Sequence, residues 1–162
     1  MAGLYFEQFE VGAVHEHRST RKLTEADSNA FRSLTQGRTD TVAQAEYIAT
    51  TEAAASLVSN AHTVSLLIGV STNELTRGTT VSNLGWDQVR FVHPVYHGDT
   101  LRLQTEVLDK HESRARPYAG TVSLEHRAYN QHGDLVASCR RSVLMLKAPV
   151  RRAAVEVTAS TS

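Results

Sequence analysis

At 162 residues the chain fits a single domain with a substantial buried core. Hydrophobic residues make up 41% and charged residues 21%, the balance of an ordinary globular protein. Seventeen Lys and Arg offset seventeen Asp and Glu, so no global field favours nucleic acid or an anionic membrane surface.

In chain order, "MAGLYFEQFEVG" carries neither a basic segment nor an apolar run, which speaks against a secretory leader. The period-two reading places a polar first strand over residues 15–23, "HEHRSTRKL". His15 and His17 would then share one side, but no third ligand for a metal is evident. "TEADSNAFRSLT" follows, with Thr24 and Asp27 spaced as a capping box, and predicts a helix. After the loop "QGRTDTVAQ", good helix formers predict a second helix over residues 45–56.

Residues 62–75 bring Val64, Leu66, Leu67, Ile68 and Val70 with small polar residues between them, predicting a helix buried on nearly every side. From residue 79 the pattern turns to strands: "TTVSNLGWDQVRFV", "TLRLQTEVLDKHE", "GTVSLEHRAYN" and "DLVASCRRSVLMLKA", the last two joined by the turn "QHGD". Leu101, Leu103, Thr105 and Val107 alternate onto one face, as do Val122, Leu124 and Ala128. His111, His126 and His132 read as strand-surface or turn residues, and His93 and His97 as histidines bonded to their own loop. Cys139 lies in a strand-like run and reads as a small buried hydrophobe. The chain thus divides into one domain over residues 1–148 and a mobile tail over 149–162. No stretch approaches the roughly 18 apolar residues of a membrane span, and the single cysteine fits a cytoplasmic protein. One buried helix followed by four long strands predicts an α+β fold, an antiparallel sheet wrapped around a central helix. Its open edges predict pairing with a second copy as a homodimer. Trp86 would then pack near the seam between copies.

"GLYFEQFEVG", "RKLTEADSNAFRSLT", "SNLGWDQVRFVHPVYHGDTLRLQTEVL" and "HRAYNQHGDLVASCRRSVLM" resemble the single-domain MaoC-like dehydratases and (R)-specific enoyl-CoA hydratases over residues 3–147. The run "PVYHGDTL" is the most specific part. The resemblance implies the hotdog fold, hydration or dehydration of acyl thioesters on coenzyme A or an acyl carrier protein, dimers, and no metal or redox cofactor. It also implies a pattern close to Thr-Gly-Asp/Asn-x-x-Pro-x-His-x-Asp. In that pattern the acid or amide and the histidine five positions later hold one water over the double bond.

Anchored on "AEY" at 45–47, that pattern puts Gln36 at the glycine, Gly37 at the acid, Asp40 at the proline, Val42 at the histidine and Gln44 at the last aspartate. No histidine occurs between His17 and His62, so sliding the alignment does not restore the dyad. The candidates for a rebuilt acid/base pair are Asp40, three positions after Gly37, and His62, at the mouth of the central helix. Asp40 equally suits a helix cap, and His62 a satisfied cap-side histidine. Arg38 suits a planar anion on the ligand. The N–H groups of Ser59, Asn60 and Ala61 open the central helix and suit a polarised carbonyl oxygen. Three functions remain open. They are a hydro-lyase on an α,β-unsaturated acyl thioester, a degenerate subunit that binds an acyl group or supports an active partner, and a cyclase or isomerase of a specialised pathway.

Overall fold

The structure is a computed structural model, and it describes residues 3–35 and 56–149. The predicted second helix, the loop holding Arg38 and Asp40, and nearly all of the C-terminal tail lie outside those residues.

Four long antiparallel strands form the body of the sheet: β3 (Thr80–Phe91), β4 (Thr100–Glu112), β5 (Ala119–Tyr129) and β6 (Leu135–Leu146). The expected first strand is instead two short pieces, β1 (Val14–Glu16) and β2 (Arg21–Lys22), both paired with β4. The break has a physical cause. The carboxylate of Glu74 accepts from the N–H groups of Arg18 and Ser19, each at 3.0 Å, which bends residues 18–20 away from the ladder just after the amide of His17 has bonded the Leu103 carbonyl. The strand order is β1-β4-β5-β6-β3, with β2 extending β4 beside β1.

Helix α1 (Glu25–Thr35) begins where its capping box predicts. The amide of Asp27 donates to Thr24 Oγ1 at 3.2 Å, and the amide of Thr24 donates to Asp27 Oδ2 at 3.0 Å. Helix α2 (Asn60–Ser71) lies across the concave face of the sheet and runs on into a π-helical turn, Thr72–Thr76. A sheet curled around α2 is the hotdog arrangement. The helix is not buried on all sides as predicted: Leu67, Thr63 and Ser71 face the sheet, whereas Ala61, Ser65 and Gly69 form an exposed stripe of small residues.

Strand parity builds the core. Leu101, Leu103, Val136, Ala137 and Ala128 join Leu23, Val58, Val95 and Leu67 in one apolar cluster. Val107, Val122, Leu124, Val143 and Met145 join Phe6 and Phe9 in a second. Each Val, Leu, Phe or Met side chain among them that is fully removed from water contributes about 1.5–3 kcal/mol relative to exposure. Between the clusters, the same inward parity delivers polar residues: Thr105 on β4, His126 on β5, and Cys139 with Arg141 on β6, all 1% exposed or less. His126 is therefore a core residue, not the surface residue predicted. Its place between Leu124 and Ala128 in the alternation carried that information.

Candidate active site

The first turn of α2 is anchored from three directions. Ser59 caps it, its hydroxyl accepting from the amide of His62 at 3.2 Å while its carbonyl accepts from Thr63 at 3.1 Å. This leaves the N–H groups of Asn60 and Ala61 without an intrahelical acceptor, at the positive end of the helix dipole. The preceding residues pair with the loop after β3. Val58 donates to the Val95 carbonyl at 2.8 Å, His97 donates through its amide to the Ser56 carbonyl at 2.7 Å, and Leu57 bridges Tyr96.

The family-like run "PVYHGDTL" builds that loop. Gly98 takes a left-handed conformation (φ +98°), where a side chain would be strained. Asp99 accepts from the Tyr96 amide and from the Gln131 side chain, each at 2.8 Å. Backbone bonds from Gly98 to Leu23 (2.7 Å) and from Leu23 to Asp99 (2.8 Å) tie the loop to the segment entering α1.

The imidazole of His62 stacks on Phe31 of α1, ring centroids 4.8 Å apart and nearly parallel. It is buried, and its Nδ1 has no hydrogen-bond partner among the described residues. Burial pushes its pKa below the usual imidazole value; Asp27 opposes that, while Arg21 and His97 add to it. His62 thus sits at the N-terminus of α2 as an imidazole that burial disposes to the neutral form, with no partner for Nδ1 among the described residues. Asn60 and Ala61 are both exposed.

His93 does not serve its own loop as expected: its Nδ1 lies 2.9 Å from the carbonyl of Leu135, the first residue of β6. His97 differs from the expectation: its Nε2 reaches across to Ser28 Oγ of α1 at 3.0 Å. A partner 69 positions away has no local sequence signal.

A second polar constellation lies under the far end of α2. His17 Nδ1 meets Glu74 Oε2 at 3.2 Å, His17 Nε2 meets Thr105 Oγ1 at 2.7 Å, and Thr105 Oγ1 meets His126 Nδ1 at 2.8 Å. Burial holds the His126 pKa down at about 3, with Arg141 and His17 adding to the effect. Arg141 donates to Asn83 Oδ1 (2.7 Å) and Thr72 Oγ1 (3.2 Å), fastening β6 to β3 and to the π-helical turn. His17, Thr105, His126 and Arg141 are buried and Glu74 is partly exposed at the margin, and together they fix the helix on the sheet. Cys139 beside them is buried, and burial raises its thiol pKa to about 11, as suits a packing residue. No group of three or more His, Cys, Asp or Glu side chains among the described residues is placed to hold a metal ion. No helix among them is long and apolar enough to cross a membrane.

Comparison with known proteins agrees with this architecture. The family model for mesaconyl-CoA hydratase matches residues 1–160. The mesaconyl-CoA hydratase of Cereibacter sphaeroides is 27% identical over 146 residues, 90% of this chain but 42% of that protein. Among solved structures, one described as a MaoC domain dehydratase from Chloroflexus aurantiacus superposes with a TM-score of 0.80 at 25% identity. That match covers 95% of this chain and 43% of the other. The R-hydratase PhaJ1 of Pseudomonas aeruginosa gives 0.72 at 25% identity, covering 90% of this chain and 88% of that one. The chain spans less than half the length of the curated relative it matches. With a hotdog sheet around α2 and a family model matched from end to end, the chain belongs to the mesaconyl-CoA hydratase family of MaoC-like dehydratases.

Proposed function

We propose that the protein is an acyl-CoA hydratase-type enzyme of the cytoplasm that adds or removes water across an α,β-unsaturated acyl thioester on coenzyme A or an acyl carrier protein. The observation that carries this reading is His62: a buried imidazole whose Nδ1 has no partner among the described residues, in the same helix turn as two N–H groups that lack intrahelical acceptors. The N–H groups of Asn60 and Ala61 polarise the thioester carbonyl, and His62 takes the proton from water as its oxygen bonds the β-carbon. Asp40 completes the rebuilt site by orienting that water, and Arg38 binds an anionic group of the ligand. Loss of enoyl absorbance with crotonyl-CoA and with mesaconyl-CoA tests the reading. His62→Ala and Asp40→Asn are each expected to lower kcat by about 10²-fold or more, and full activity in both variants would refute it.

The sheet edge supports a homodimer. Among the described residues, strand β3 pairs with β6 alone, and it exposes Val81, Leu84, Trp86, Val89 and Phe91. A degenerate subunit that supports an active partner is the second reading. It is favoured by Gly37 and Val42 at the aligned dyad positions. A purified protein that turns over neither thioester, yet activates a homologous hotdog subunit, would select that alternative.

A further inference from the structure

His97 was expected to serve its own loop, but the structure places it elsewhere. Ser28 and Phe31 lie three residues apart, on one face of α1. Ser28 holds the imidazole of His97 at 3.0 Å, and Phe31 stacks on the imidazole of His62 at 4.8 Å between centroids. The two histidines therefore meet the same helix face one turn apart. They come from two segments that are themselves stitched together by the Ser56–His97 and Val58–Val95 backbone bonds.

We propose that His97 and His62 form a coupled imidazole pair, with His62 the neutral base of the site and His97 the member that carries and donates the proton. The proposal rests on the hydration reading above and adds the proton donor which that reading leaves unassigned. The environments divide the roles. His62 is buried against an aromatic ring with one nitrogen unpartnered among the described residues, which disfavours charge. His97 is half-buried, and the Ser28 hydroxyl beside its Nε2 can accept a hydrogen bond from an imidazolium. Both rings pack on that one face of α1, and after burial, Coulomb repulsion from His97 is among the effects that lower the His62 pKa. The other charged groups acting on His62 are Asp27, in the first turn of α1, and Arg21 of β2. They bond each other, so their effects on His62 oppose and partly cancel.

In the forward reaction His62 removes one proton from water. The water oxygen forms the C–O bond at the β-carbon, and the π electrons move onto the thioester as an enolate. Protonated His97 then delivers its proton to the α-carbon, the enolate electrons form the C–H bond, and the carbonyl is restored. The proton taken up by His62 returns to His97, so the pair ends as it began.

The test combines turnover of crotonyl-CoA with imidazole titration by NMR in wild type, His97→Gln and Ser28→Ala, the NMR spectra also reporting whether each variant is folded. His97→Gln is expected to raise the His62 midpoint, because a like charge is removed, and to lower kcat by about 10²-fold with KM unchanged. Ser28→Ala keeps both rings and is expected to shift the pH–rate profile with a smaller loss. An unmoved His62 midpoint in His97→Gln, or an unchanged kcat, overturns the pair. Absence of turnover by the wild-type protein instead sinks the hydration reading, and with it the donor role, whereas the titrations still report whether the two rings are coupled.

Discussion

Glu74 is the clearest place to test the energetics of this fold. It sits in the π-helical turn after α2 and binds the stretch between β1 and β2. Burial raises its pKa, but bonds from the Ser19 hydroxyl, the amides of Arg18 and Ser19, and His17 outweigh that and take it from 4.5 to about 2. The full displacement corresponds to about 3 kcal/mol. The side chain is 23% exposed, so solvent screening reduces the expected contribution to about 1–2 kcal/mol. Because the folded-state pKa is depressed, that stability is present above pH 4.5 and is lost as the pH falls towards 2. Glu74→Gln should therefore lower urea-unfolding stability by about 1–2 kcal/mol near pH 7, or Tm by about 2–8 °C. The gap between variant and wild type should close as the pH is taken from 4.5 to 2. Equal stability at pH 7, or a gap that persists unchanged at pH 2, would refute the reasoning.

Three further predictions concern packing. Cys139, with its thiol near 11 against 9.0 for an exposed thiol, should react with iodoacetamide at pH 8 at least about 100-fold more slowly in the folded protein than in denaturant; equal rates would place it at the surface. Gly3→Ala would set a methyl 2.6 Å from the backbone nitrogen of Arg77 and 2.7 Å from the carbonyl oxygen of Leu75, and should cost about 1–3 kcal/mol. Gly69→Ala, in the exposed stripe of α2 with open space around it, should instead be neutral or stabilise by up to about 1 kcal/mol. Chemical denaturation separates the two, and a harmless Gly3→Ala would contradict the close approach of residues 3–4 to 75–77.

The strands and the central helix were legible because alternation and apolar content are local signals: Leu101, Leu103 and Val107 are each buried as their parity demands. The same rule was set aside at His126, where residue type overrode position, although Leu124 and Ala128 on either side fixed its direction. Arg140 and Arg141 look alike in sequence, yet parity sends the first outward to Glu125 and the second inward to Asn83. What the sequence concealed is long-range. Glu74 breaks a strand 55 positions earlier, and Ser28 claims a histidine 69 positions later. At the candidate site, the sequence placed His62 at the mouth of the central helix, but the helix begins two residues earlier, at Asn60, and the capping hydroxyl of Ser59 was not anticipated. The position of Asp40 and Arg38 lies outside the described residues.

The anchoring of the opening segment bears on how the molecule assembles. Gly3 and Leu4 bond to Arg77 and Leu75, Gly12 to Val107, and the Glu7 carboxylate to the amide of Ala148, 141 positions away at 2.9 Å. A belt of this kind cannot close until the last strand has left the ribosome, so the lower apolar cluster stays open to solvent throughout synthesis. Such non-local closure predicts slow, cooperative folding. Until it is complete, Phe6 and Phe9 have no finished wall to pack against, which makes the nascent chain, more than the finished one, the form most in need of protection from its neighbours.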